Sequence, residues 1–239
     1  MFDTYLARGL KAGLVAGLAF GLFVAFVGNP FVSHAEALAR GGHAHGAGGA
    51  HASSVTALAS VGGGVLWGLL AGAVFGVAFF VFEPAIPGPR GARGYLLAAA
   101  GFVTVSGAPW LVLPPSVPGT AETLPTRTRL ALYAAMMLAG LVACLLAGVA
   151  YREASDRYDR RVGALAAAMP LAALPLVAAF APANATTSAV SPALVAAYRG
   201  VVALGQVTLW AVLAGTHAWL HRRSPSEVGR RRRTPVTAD

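Results

Sequence analysis

Histidines at positions 34, 43, 45 and 51, with Glu36 among them, gather four imidazoles and a carboxylate into one glycine-rich stretch, 33–53. Nitrogen and carboxylate donors suit a borderline divalent cation such as Co(II), Ni(II) or Zn(II), and the absence of a thiolate beside them disfavours copper(I) and iron-sulfur chemistry. His43 and His45 are separated by one residue, so on an extended chain both rings project to the same side and can share one ion; His34 and Glu36 repeat that spacing. Gly41, Gly42, Gly46, Gly48 and Gly49 let the backbone fold around an ion and leave the stretch disordered without one. Capture would then be coupled to ordering and would weaken as imidazoles protonate below about pH 6 to 6.5. Short Gly/His/Ala tracts also arise as low-complexity sequence that binds nothing.

Other polar groups are sparse. His217 and His221, four apart, share a helix face and form a weaker candidate metal pair, although two imidazoles among arginines need no function. Glu83, followed by Pro84, is expected to pair with Arg90 or Arg93, while Gln206, Thr208 and Thr216 fit contacts between helices. Cys144 stands alone in an apolar run, which excludes an intrachain disulfide and any CxxC site. The single lysine, Lys11, cannot complete a phosphate-binding P-loop, and neither HExxH nor GxSxG occurs. No catalytic residue and no permanently bound cofactor is therefore expected, and any metal is cargo or signal.

The elements that must position these groups follow from composition. Of 239 residues, 56% are hydrophobic and only 11% charged, outside the range of soluble domains. The expected fold is all-α, a polytopic integral membrane protein of about six spans at 9–28, 57–82, 94–113, 130–150, 162–181 and 197–220, each long enough for about 30 Å of hydrocarbon. The first apolar run is longer than a signal peptide core and is read as a retained helix. The membrane domain covers 1–221, and 222–239 is a basic tail expected to be disordered and cytoplasmic. With the N-terminus inside, inner segments carry Arg8, Lys11, Arg90, Arg93, Arg152, Arg157, Arg160, Arg161, Arg222, Arg223 and 230–233; only Arg40, Arg127, Arg129 and Arg199 fall outside. That bias puts both termini in the cytoplasm of a plasma-membrane protein and the histidine stretch outside. The net charge of +9 is thus assigned to topology and anionic lipid, not to nucleic acid.

Glycines recur every fourth residue at 9, 13, 17 and 21 and again at 64, 68, 72 and 76, so each set lines one helix face, and the first two spans are expected to pack as a tight hairpin. Pro109 interrupts the third span and Pro170 and Pro175 the fifth. Pro114, Pro115, Pro118 and Pro125 stiffen the connection between the third and fourth spans, and 151–161 reads as a solvated turn.

Pro30 and Ala35-Glu36 near the end of the first span, Arg93-Gly94 leading through Gly101-Phe102, and LPPSVPG from Leu113 to Gly119 are similar to the CbtA family of predicted cobalt transporter subunits. The resemblance covers most of the membrane region, with Leu171 standing after Pro170 where the family pattern has a histidine. It implies an importer of Co(II) linked to cobalamin supply, working beside a small single-span, histidine-containing CbtB-like subunit, with Glu36 and the stretch's histidines as metal contacts. Two other classes are weighed against import: a metal-binding or metal-sensing membrane protein that transports nothing, and a membrane-embedded enzyme, which would need convergent titratable groups inside the bilayer.

Overall fold

The computed structural model describes residues 2–39, 49–187 and 190–223. Helix α1 (Phe2–Phe23) continues through a π-helical segment, Val24–Gly28, into α2 (Asn29–Ala39). Then come α3 (Gly49–Phe82), α4 (Arg90–Phe102), a second π-helical segment (Val103–Gly107) and α5 (Ala108–Trp110). Past β1 (Ala121–Glu122) lie α6 (Thr126–Arg157), α7 (Arg160–Ala172), α8 (Leu174–Ala179), β2 (Thr186–Thr187) and α9 (Pro192–Arg223). The two short strands pair antiparallel, Ala121 opposite Thr187 and Glu122 opposite Thr186. They tie the proline-rich connection to the loop before α9.

Helix α1 lies on α3 with the two glycine ladders in register. A Cβ placed on Gly9, Gly13 or Gly17 would run into the backbone of Gly72, Gly68 or Gly64 respectively, and the reverse holds for the α3 glycines. Hydrocarbon offers no hydrophobic drive between helices, so such backbone approach, with its dense dispersion contacts, is what holds the hairpin. Two apolar clusters complete the interior. Ala12, Ala16, Phe75, Ala98, Leu209, Leu213 and Ala214 join α1, α3, α4 and α9. Ala108, Met136, Ala143 and Leu174 join α5, α6 and α8, with Leu171 packed against them. The outside is equally apolar: Leu66, Leu165 and Met169 are each more than 70% exposed, as a lipid-facing surface requires.

Among the described residues, five helices are long and apolar enough to cross a membrane: Phe2–Ala37, Ser54–Phe82, Thr126–Arg157, Arg160–Ala179 and Pro192–Arg223. The segment expected as the third of six spans is helical from Arg90 to Trp110 but is not one of them. It opens on Arg90 and Arg93 and later carries Thr104, Ser106 and Pro109, all of which lower its apolarity. It nevertheless runs the length of the bundle: Gly94 lies against His217 near the end of α9, while beyond Trp110 the Pro115 carbonyl accepts from Arg199 Nε near the start of α9, at 3.3 Å. Among the described residues the chain thus runs along the bundle six times, five of these as helices long and apolar enough to cross a membrane, and Phe2 and Arg223 lie at the same end. We call this the basic end and the opposite one the loop end.

Three local expectations change. Residues 33–39 and 49–53 are helical extensions of the spans, not loop; alanines at 35, 37, 39, 50 and 52 favour the helix. The solvated turn shrinks to Tyr158–Asp159, because α6 continues to Arg157 on an exposed Glu153–Arg157 pair (2.5 Å) and Asp159 caps α7 by accepting from the Arg161 and Val162 amides, each at 2.8 Å. Pro170 sits inside α7, and the helix breaks at Ala173 before Pro175 restarts it. His43, His45 and tail residues 224–239 lie outside the described residues, as does the side chain of His51.

Candidate functional site

At the loop end, Asn29 Nδ2 donates to Ser60 Oγ at 2.8 Å, joining the start of α2 to α3 across the mouth of the glycine hairpin. His34 is exposed and Glu36 half-buried one turn further out on α2. Since that segment is a helix, two positions i and i+2 are turned about 200° apart, and the same-side geometry available to an extended chain does not hold for His34 and Glu36. Ala35 between them is fully buried and seats α2 against the bundle. Ring contact between Phe31 and Tyr198, 6.2 Å between centroids, holds α2 to α9. Around them Glu122 accepts from Ser116 at 3.0 Å and is paired with Arg129, and the Leu124 amide donates to Asn184 Oδ1 at 3.3 Å. Among the described residues, the loop end is therefore a tied, polar rim that carries the exposed imidazole of His34.

A second polar group lies within the bundle. Val105 lies in the π-helical segment Val103–Gly107; the residue four on, Pro109, has no N–H to give its carbonyl, and the Tyr133 hydroxyl donates to that carbonyl at 2.6 Å. In the same segment Ser106, only 3% exposed, donates to Gln206 Oε1 on α9 at 3.3 Å. Neither Ser106 nor Tyr133 stood out in the sequence, because their partners are 100 and 28 residues away. A serine preceding a glycine and proline in an apolar run was the only local sign.

The basic end holds the second histidine candidate. His217 is 1% exposed, enclosed edge-on by Phe79 (4.6 Å) and Phe75 (5.1 Å), and its ring is stacked on His221 at 6.3 Å. The spacing of four does bring the two rings to one face. Arg8 Nη1 lies 3.1 Å from His221 Nδ1. A guanidinium only donates, so Nδ1 accepts and His221 carries its proton on Nε2. Glu83 accepts from the Tyr5 hydroxyl at 2.5 Å instead of pairing with Arg90 or Arg93. Among the described residues, no three His, Cys, Asp or Glu side chains come together as a metal cluster.

Against known proteins, the family model described as a probable cobalt transporter subunit (CbtA) matches residues 2–222, from the first turn of α1 to the last of α9. The chain belongs to the CbtA family. No curated protein and no solved structure matches it. CbtA membership accounts for the whole described bundle as one unit and agrees with a multi-pass membrane architecture. The description of CbtA proteins as probable cobalt transporter subunits supports metal transport and implies a partner.

Proposed function

We propose that this chain is the membrane subunit of an importer that carries Co(II) across the plasma membrane for cobalamin supply, beside a small single-span, histidine-containing CbtB-like subunit. The observation that carries the reading is the CbtA match along residues 2–222. The arginine bias supports a cytoplasmic basic end, with both termini inside and the loop end facing incoming solute. In this mechanism His34, Glu36, His43, His45 and His51 collect the cation as hydrated Co(II) trades water for imidazole nitrogen. The ion then enters between helices past the Asn29–Ser60 and Ser106–Gln206 pairs, whose oxygens offer ligands of moderate strength. Weak, successive sites of this kind let an ion leave as well as enter.

Two measurements test it. Cells with and without the chain are compared for initial cobalt accumulation; an unchanged initial rate would sink import and leave a metal-binding or metal-sensing protein. Purified protein is then titrated with Co(II), Ni(II) and Zn(II), wild type against a variant with His34, His43, His45 and His51 all changed to alanine. Collection by the histidine stretch requires the variant to lose Co(II) binding.

A further inference from the structure

At the basic end, the N-terminus of α4 and the last turn of α9 enclose a cleft of about 110 Å³ lined by Phe79, Arg90, Gly91, Gly94, His217 and His221, with Ala218 and Arg222 at its wall. Its polar groups are nearly all donors. Arg90 and Arg222 contribute guanidinia, which cannot accept. His221 shows its Nε2 proton, because Arg8 already occupies Nδ1. The first turn of α4 begins after Pro89 with no side-chain cap and no acidic residue; the Ala92 amide is taken by the Pro89 carbonyl at 2.8 Å, while the Arg90 and Gly91 amides and the positive end of the helix dipole have no side chain to compensate them. His217 forms the floor: its ring sits against Gly94, and its buried Nε2 has no hydrogen-bond partner. Of the carboxylates at this end, Glu83 is taken by Tyr5, and neither it nor Asp3, Glu153, Asp156 or Asp159 lines the cleft.

A cleft with this donor set is badly matched to a cation and well matched to an oxyanion. To hold a metal, His221 would have to give up either its Nε2 proton or its contact with Arg8. We infer that this cleft binds a phosphate group, offered either by an anionic lipid headgroup at the membrane surface or by free phosphate, clamped between Arg90 and Arg222 over the first turn of α4. Arginine pairs and helix N-termini both favour tetrahedral oxyanions, and basic pockets between membrane helices are where lipid phosphates settle.

The test uses the full-length chain purified in detergent. Lipid retention is read by native mass spectrometry after adding phosphatidylglycerol or phosphatidylcholine, and inorganic phosphate binding by equilibrium dialysis. Arg90→Ala with Arg222→Ala is expected to weaken binding by roughly 30-fold, about fivefold per arginine. Arg152→Ala with Arg157→Ala, an equal charge loss elsewhere, should leave it unchanged. Gly91→Asp, at a position where an added Cβ meets nothing, sets a carboxylate on the rim and should abolish binding without disturbing packing. Retention of phosphatidylglycerol with this dependence identifies a lipid site; dialysed phosphate with the same dependence identifies a soluble one. Equal losses in both arginine pairs overturn the inference. So does Co(II) binding that disappears with His217→Ala and His221→Ala, since that would make the cleft a cation site.

Discussion

Glu83 at the end of α3 must find a donor or pull water into the bundle, and it finds Tyr5 on the first turn of α1, 78 residues away. The bond therefore locks the basic end of the glycine hairpin as well as satisfying a carboxylate. Tyr5→Phe should lower stability by about 1–3 kcal/mol by leaving that acceptor unmet, and adding Glu83→Leu should recover part of the loss; the thermal midpoint in detergent reads both. The histidine stretch makes a second residue-level prediction. Imidazole binds metal through a lone pair that protonation removes, so Co(II) affinity should fall as pH drops below about 6 to 6.5. Titrations at pH 7.5 and 5.5 check this, and the alanine variant of the four histidines should lose the difference between them. Chemistry at this scale was readable as residue type. Pairing was not, because hydrogen-bond partners such as Tyr5 and Glu83, or Ser106 and Gln206, are brought together only by helices distant in the chain.

The element that organises the molecule is the α1–α3 hairpin, and its ladders were legible because a four-residue period nearly matches the helical repeat. Gly68→Val sets a side chain into the backbone of Gly17 and Gly13, and an overpacked contact of this kind costs about 1–3 kcal/mol or more. Gly62→Val, six residues earlier on the same helix, meets open space and should be nearly silent. Comparing the two midpoints separates packing from a general intolerance of valine in α3. Prolines marked the breaks at Ala173 and around Trp110. Each π-helical segment, Val24–Gly28 and Val103–Gly107, ends two residues before a proline, Pro30 and Pro109, so the proline marked the place but not the widened turn, nor the Tyr133 hydroxyl that reaches the second. Over residues 33–39 the alanines at 35, 37 and 39 favour helix locally, and the docking of Ala35 and Phe31 against the bundle, which the sequence does not announce, holds it there.

For the whole molecule, contacts among the described residues place residues 8, 90, 157 and 223 at one end and residues 29, 60, 116 and 187 at the other. On a Cys144→Ser background, a membrane-impermeant thiol reagent applied to intact cells should label Thr187→Cys and spare Arg157→Cys and Arg223→Cys. Labelling of both Arg157→Cys and Arg223→Cys with Thr187→Cys protected would mean that Arg90–Trp110 does not cross, and would cancel the shared side of the termini. By itself the sequence determined the class of the protein, the existence and rough limits of its helices, the glycine seam and the basic bias of alternate connections. Those are properties of composition and short-range period, which each segment carries alone. Only the tertiary structure decided that the least apolar segment still runs the full length of the bundle. It also turned His34 and Glu36 away from each other on a helix and closed Arg90, Arg222 and the two α9 histidines around one cleft. Such outcomes depend on which distant faces meet, and side-chain chemistry at a meeting point is set by neighbours that no local pattern names.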